Sequence, residues 1–252
     1  MDVYRFFTQS GLLPKRHSLL CRQGGRALVA TSVSVTSLER PDLSASRHRF
    51  WTLVTVAERL AAFFMLLLLL PVLAPATILV ALLSGCPPLV ALSRAGHRGK
   101  CIWLIKLRTM WGSGERSAAQ YGWIERIESS PVPAVKTPRD PRITSRFAAF
   151  CRRHSVDELP QLWHVVTGEM ALVGPRPLTY DEMDCYYREF SAEILSVRPG
   201  LTGLWQVKGR NSLTYSERLE LDLVLVRKRS VRLYLQILAA TVPALISGRN
   251  AG

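Results

Sequence analysis

No charged residue occurs between Leu60 and Ser93. That run constrains the fold more than any other feature of the chain. Its most apolar part, residues 60–83, spans about 36 Å as a straight helix at ~1.5 Å per residue. The hydrocarbon layer of a bilayer is about 30 Å thick. Two observations complicate a simple crossing. Pro71 and Pro75 each remove a backbone donor and favour a bend. Basic residues also stand on both flanks, with Arg47, Arg49 and Arg59 before the run and Arg94, Arg98, Lys100, Lys106 and Arg108 after it. The positive-inside rule assigns both flanks to the cytoplasm. A bent, re-entrant helix over residues 50–83 satisfies both flanks, and a straight span satisfies one. On the residues alone both readings stand.

The chain carries 33 Lys and Arg against 19 Asp and Glu, a formal charge of +14. Such a balance calls for an anionic partner. Nucleic acid, an anionic membrane surface and a nucleotide-sugar all qualify. Nucleic acid is the weakest of the three, because the apolar run is long and no aromatic–basic binding motif is present. Arginine's planar fork suits phosphate, although richness in Ala and Leu points to coding bias as the source of the total. Five cysteines show neither paired nor metal-ligand spacing and read as reduced thiols of a cytosol-facing domain. Residues 1–49 are basic, rich in Ser and Thr and broken by Pro14, Gly24, Gly25 and Pro41. They read as a flexible basic arm without a cleavable signal.

Beyond the apolar run, residues 84–252 read as one domain. Residues 101–107 form a strand pattern leading to Arg108-Thr109-Met110. Residues 111–138 are rich in Gly, Ser and Pro and read as a loop or lid around a short helix at 118–127. Amphipathic helices are expected at 181–195 and 216–228. Residues 233–246 are apolar, interrupted by Pro243 and too short to span. Behind Arg227, Lys228, Arg229 and Arg232 they suit a helix lying on a membrane surface, and a plain core helix fits as well.

The segment from His154 to Pro177 carries the chemistry. Asp157-Glu158 lies between Arg152-Arg153 and a short apolar helix pattern at 159–166 that Gly168 stops. Two adjacent carboxylates beside cations suit work on a phosphate held by a divalent metal. Structural readings compete. Ser155 and Glu158 have the spacing of a capping box, or Asp157 caps a helix with Pro160 in its first turn. Lys106 and Arg108 alternate on a strand face and suit a diphosphate, or simply solvent. Arg176, held between two prolines, suits bidentate phosphate binding or a structural ion pair. Arg198 and Arg210 flank the tight turn Pro199–Gly203. His154 and His164 read as structural, and Trp163 and Trp205 as packing or interfacial residues.

A set of blocks occurs in a fixed order: Lys106–Met110, Asp140–Thr144, Ser155–Leu162, Gly168–Met170, Val173–Pro177, Val197–Val207 and Gly209–Asn211. Together they resemble the bacterial sugar transferases, the monotopic polyprenyl-phosphate phosphoglycosyl transferases, from about Glu58 onward. The chain departs from that pattern in places. Glu58, Arg59 and Ala62 stand where the family usually has Lys, Arg and, three residues on, Asp. Ala74-Pro75 stands for its Ser-Pro, and His164 for its Asn. The resemblance implies an α+β fold, a mostly helical membrane-associated catalytic domain with a small β element and an N-terminal re-entrant membrane helix. It implies Asp157 as nucleophile and Glu158 as the holder of Mg²⁺. Lys106, Arg108, Arg152, Arg153, Arg176, Arg198 and Arg210 are the substrate-binding cations expected with them. The implied reaction moves a sugar-1-phosphate from a UDP-sugar to polyprenyl (undecaprenyl) phosphate and releases UMP, starting an exopolysaccharide or capsule glycan. The donor is a UDP-hexose or a UDP-N-acetylhexosamine. Membrane lipids are then partners, and the domain faces the cytoplasm at the bacterial inner membrane. The altered anchor positions motivate one alternative, a catalytically degenerate membrane-bound scaffold of a polysaccharide machine.

Overall fold

The computed structural model describes residues 43–110, 122–127, 143, 145–209 and 213–247. Most of the N-terminal arm, the Asp140-Pro141-Arg142 block and Arg210 lie outside the described residues. The chain divides into two compact units, Met1–Val54 and Thr55–Gly252. In the first, Phe50 and Trp51 meet edge to face at 5.8 Å. The second holds the elements described below from Thr55 onward.

Helix α1, Leu43–Ser84, runs through both Pro71 and Pro75. The Thr77 hydroxyl donates to the Leu73 carbonyl at 2.7 Å. One stripe faces the domain at helical spacing of three and four: Glu58, Ala62, Leu66, Leu69, Leu73, Ala76 and Val80. The rest of the surface is apolar and exposed, including Phe64, Leu67, Leu68, Val72 and Leu82. A helix apolar all round, with only one face covered by protein, calls for an apolar solvent. By length and composition α1 is able to cross a membrane.

Strands β1 (Leu89–Ala95) and β2 (Cys101–Leu107) form an antiparallel hairpin, with Leu89 opposite Leu107 and Ala95 opposite Cys101. Strand β3 (Ile124–Ile127) runs parallel to β1, giving the order β2-β1-β3. This corrects the helix expected at 118–127, at least for its last four residues. Ile-Glu-Arg-Ile is too short to declare a period, and pairing with β1 decides its conformation. Strand β2 turns Ile102 and Leu104 inward, onto Ala62 of α1 and onto Leu162, Val165, Met170 and Leu172.

Helix α2 (Arg146–Arg153) is capped by Ser145, whose hydroxyl oxygen accepts the Ala148 N–H at 2.9 Å. A 3₁₀ turn, Val156–Gln161, and a short α3, Leu162–Thr167, follow, and Gly168 ends α3 at φ +83°. The single helix expected at 159–166 is therefore partly 3₁₀. Strands β4 (Ala171–Val173) and β5 (Gly200–Thr202) pair in parallel, Ala171 opposite Gly200 and Val173 opposite Thr202. Between them the amphipathic helix expected at 181–195 is broken into α4 (Tyr180–Glu182), a π turn (Met183–Tyr187), a 3₁₀ turn (Arg188–Phe190) and α5 (Ser191–Ile194). The π turn carries Tyr187 to the buried Asp222, its hydroxyl 3.1 Å from the carboxylate. That partner is tertiary and invisible to periodicity.

Helices α6 (Leu204–Lys208), α7 (Tyr215–Arg227) and α8 (Val231–Ser247) complete the chain. Leu233 and Ile237 of α8 are buried, while Leu235 and Val242 are exposed. Both readings of this helix thus keep a face, one packed on the core and one apolar surface.

Gly174 and Gly200 meet where the chain leaves β4 and enters β5. A Cβ on Gly200 would lie 2.0 Å from the Gly174 nitrogen, and one on Gly174 2.5 Å from the Arg198 carbonyl oxygen. Backbone faces backbone, so no side-chain adjustment relieves the clash. Gly200→Ala is expected to cost upwards of about 4 kcal/mol, read as a large fall in the thermal midpoint of purified protein. A midpoint within a few degrees of wild type would refute so tight a crossing.

Candidate active site

Asp157 and Glu158 open the 3₁₀ turn after α2. The turn starts without a capping box. Ser155 sits at φ +56°, a left-handed conformation rather than an extended N-cap, and its side chain makes no cap hydrogen bond. The capping-box reading of Ser155 and Glu158 is thus corrected. Capping boxes are formed instead by Thr179 with Glu182 and by Thr214 with Glu217.

The acids are held by distant cations instead. Lys106 of β2 reaches Glu158 with Nζ 2.6 Å from Oε1. The Arg176 guanidinium lies 4.0 Å from the same oxygen. Arg176 is also 5.7 Å from the centre of the Trp205 ring, beside Arg218 at 4.8 Å. Beneath that ring lies Asp222, fully buried and pushed up to about 8, chiefly by burial. The Trp205 indole N–H faces Asp222 without closing an ordinary hydrogen bond. Trp205 thus does the packing expected of it, and it also forms the floor under Arg176. Sequence reading missed Arg218, which sits in an unremarkable amphipathic stretch.

Asp157 is buried, 8% exposed. Burial pushes its carboxyl up to about 6, the neighbouring Glu158 adds to the rise, and Lys106 and Arg152 oppose it. Such a group is ionised at neutral pH and poorly solvated, which suits a nucleophile. Below pH 6 it takes up a proton. If it attacks as a carboxylate, turnover should fall about tenfold per pH unit below ~6. Lys106→Met removes a lowering influence and should move that limb to higher pH. A profile flat down to pH 5, or a limb that ignores Lys106, would count against the assignment.

The other expected cations separate. Arg152 lies near enough to Asp157 to act on its charge. Arg153 is exposed. Arg108 is buried past the end of β2, where it donates to the Pro87 carbonyl at 2.7 Å and pairs with Glu125 of β3. It stands apart from Lys106 rather than sharing its face toward the acids. Arg198 lines a small cavity with Gly174, Arg229 and Tyr234. His164 bridges elements, accepting the Ile105 N–H at Nε2 (3.1 Å) and meeting Glu169 at Nδ1 (2.6 Å), so it is structural as expected. His154 contacts the Leu245 carbonyl at 3.2 Å. Burial lifts the Cys151 thiol to about 11, which removes it as a nucleophile.

Among the described residues no three His, Cys, Asp or Glu side chains gather into a metal cage. Two adjacent carboxylates are nevertheless the kind of set Mg²⁺ takes when phosphate oxygens complete its shell. Glu158, the more exposed of the two, is a hard oxygen donor and fits.

Comparison with known proteins settles the lineage. The family model described as "Bacterial sugar transferase" matches residues 50–248. The chain belongs to this family. Relatives include an exopolysaccharide production protein ExoY of Rhizobium meliloti, 36% identical over 193 residues, covering 76% of this chain and 84% of the relative. The ExoY of Sinorhizobium fredii is 38% identical over 165 residues, covering 63% and 70%. A UDP-glucose:undecaprenyl-phosphate glucose-1-phosphate transferase of Caulobacter vibrioides is 35% identical over 206 residues, covering 79% and 69%. The protein is thus a sugar transferase, and its acid pair with Lys106 and Arg176 is the best-formed candidate site among the described residues.

Proposed function

We propose that this sugar transferase moves a sugar-1-phosphate from a UDP-sugar to polyprenyl phosphate, of the undecaprenyl type, and releases UMP. The arrangement of Asp157 and Glu158 under Lys106, Arg152 and Arg176 carries this reading. A carboxylate oxygen of Asp157 attacks the phosphorus that bears the sugar. The bond from that phosphorus to the bridging oxygen breaks, and UMP leaves with the electron pair. The product is an aspartyl phospho-sugar, a mixed anhydride. A phosphate oxygen of the lipid carrier then attacks the same phosphorus, the bond from that phosphorus to the Asp157 carboxylate oxygen breaks, and the carboxylate leaves with the electron pair and is restored. Lys106, Arg152 and Arg176 offset the repulsion between a carboxylate and an anionic donor. Mg²⁺ held by Glu158 supplies Lewis-acid neutralisation of the diphosphate when bound. Splitting the transfer lets a soluble donor and a lipid acceptor use one site in turn.

The reaction starts an exopolysaccharide or capsule glycan at the bacterial inner membrane, with residues 84–252 on the cytoplasmic side. The scaffold alternative gains nothing from this geometry. Glu58 and Ala62 pack the anchor onto the domain, and the acid pair keeps its cations. The direct test incubates protein with UDP-sugar and no lipid, then seeks a sugar-phosphate mass on the peptide containing Asp157. Strictly sequential kinetics without an adduct would refute the covalent route. Topology is tested separately with single cysteines at Arg47 and Arg98 in a cysteine-free background. Both should react only once the inner membrane is opened, and labelling at position 47 from the periplasm would establish a spanning helix instead.

A further inference from the structure

One acidic side chain joins three elements around the site. Glu58 lies on the domain-facing stripe of α1 and is 5% exposed. One oxygen of its carboxylate accepts the Leu172 N–H at 3.0 Å and also the hydroxyl of Tyr234 on α8. Leu172 is the middle residue of β4, and β4 pairs with β5 through Ala171 and Val173. The Leu172 N–H therefore points to the edge of this sheet that, among the described residues, carries no strand. A helix carboxylate accepts this N–H where a neighbouring strand's carbonyl would otherwise do so. Glu58 also lies close enough to Arg229 for their opposite charges to interact. The adjacent Arg59 donates to the Val166 carbonyl at 2.8 Å, at the end of α3.

A carboxylate among apolar neighbours is costly to bury unless its bonds are needed. What they hold is the strand that leads to the site. β4 passes through Gly174 and Pro175 to Arg176, and Arg176 faces Glu158 at 4.0 Å. Pro175, Pro177 and the crowded Gly174–Gly200 crossing leave this segment little freedom. A displacement of β4 is carried to the guanidinium rather than absorbed on the way. We propose that Glu58 is a positioning residue for the transfer: it holds β4 so that Arg176 stands at the Asp157–Glu158 pair, and so ties the site's reactivity to the seating of α1. This rests on the acid pair being the reaction centre.

The test is a thermodynamic cycle on the full chain in membranes, with turnover measured for wild type, Glu58→Ala, Arg176→Lys and the double variant. Glu58→Ala should lower turnover about tenfold or more. In the Arg176→Lys background the same change should cost less than about twofold, because the group it positions is already altered. Equal losses in both backgrounds, or no loss in the first, would overturn the proposal. Should Glu58→Ala not be recovered folded, Tyr234→Phe removes one donor only and goes through the same cycle, with a loss of about threefold expected. Hydrogen exchange reads the link without turnover: the Leu172–Gly174 amides should exchange faster in either variant, while those of Ile102–Leu104 keep their rates. Asp157→Asn separates the two claims. Normal turnover there removes the reaction centre itself, whereas an inactive Asp157→Asn with additive Glu58 losses removes only the positioning role.

Discussion

Asp157→Asn is expected to abolish sugar-phosphate transfer, by at least about 10³-fold, while the protein becomes no less stable. The two effects have one cause. Asp157 is buried, and burial lifts its carboxyl to about 6. Above that pH the folded protein carries a poorly solvated charge, so the folded pKa stands above the unfolded one and stability declines as pH rises through the interval between them. An amide of the same shape removes that charge, and the thermal midpoint at pH 7.5 should stay level or rise. The amide cannot form the aspartyl phosphate, so both the adduct and the turnover should disappear. UDP-sugar binding should persist, because Lys106 and Arg176 remain. Gain of stability with loss of activity is the signature of a residue kept for chemistry. Near-normal turnover by Asp157→Asn would sink the covalent mechanism.

The second large effect is expected at Glu158. Its carboxylate is 2.6 Å from Lys106 and 4.0 Å from Arg176. Glu158→Gln leaves both cations with a neutral neighbour and removes a hard donor from the proposed Mg²⁺ set. Turnover should fall by about 10²-fold or more. Excess EDTA should stop the wild-type reaction, and Mg²⁺ should restore it. Loss of turnover alone would not separate a metal ligand from an ion-pair anchor. The Mg²⁺ concentration for half-maximal activity does so. It should rise about tenfold or more in Glu158→Gln if the carboxylate holds the metal. An unchanged requirement would leave Glu158 as the anchor of Lys106 and Arg176 only, and undiminished turnover in EDTA would remove the metal from the mechanism.

How much of this could be read from residues differs by element. The strand at Cys101–Leu107 was legible as a short run carrying β-branched and aromatic residues, ending at Arg108-Thr109-Met110. The stop at Gly168 was legible because few other residues take φ +83°. The acid pair stood out as two adjacent carboxylates beside cations, against capping as the rival reading, and the structure removes the Ser155–Glu158 capping box. The helix expected at 118–127 failed where β1 recruited Ile124–Ile127 as a strand, a pairing that no local pattern announces. Lys106 and Arg108 looked alike in the sequence. The parallel pairing of β3 beside β1 brings Glu125 to Arg108, and the packing of the 3₁₀ turn on β2 brings Glu158 to Lys106.

The physical reason is the range of the forces. Apolar periodicity, caps and turn residues act within a few positions, so the chain's own order determined the long apolar helix, the strand at Cys101–Leu107 and the stop at Gly168. Ion pairs and buried hydrogen bonds choose partners by proximity in the folded state. Lys106 finds Glu158 52 positions away, and Glu58 finds Leu172 at 114 and Tyr234 at 176. With 33 basic residues to choose from, composition could not say which of them serve the acids. Only the packing of β2, β4 and α8 around the anchor decided that Lys106 and Arg176 do so, and that an acid on the anchor keeps one of them in place.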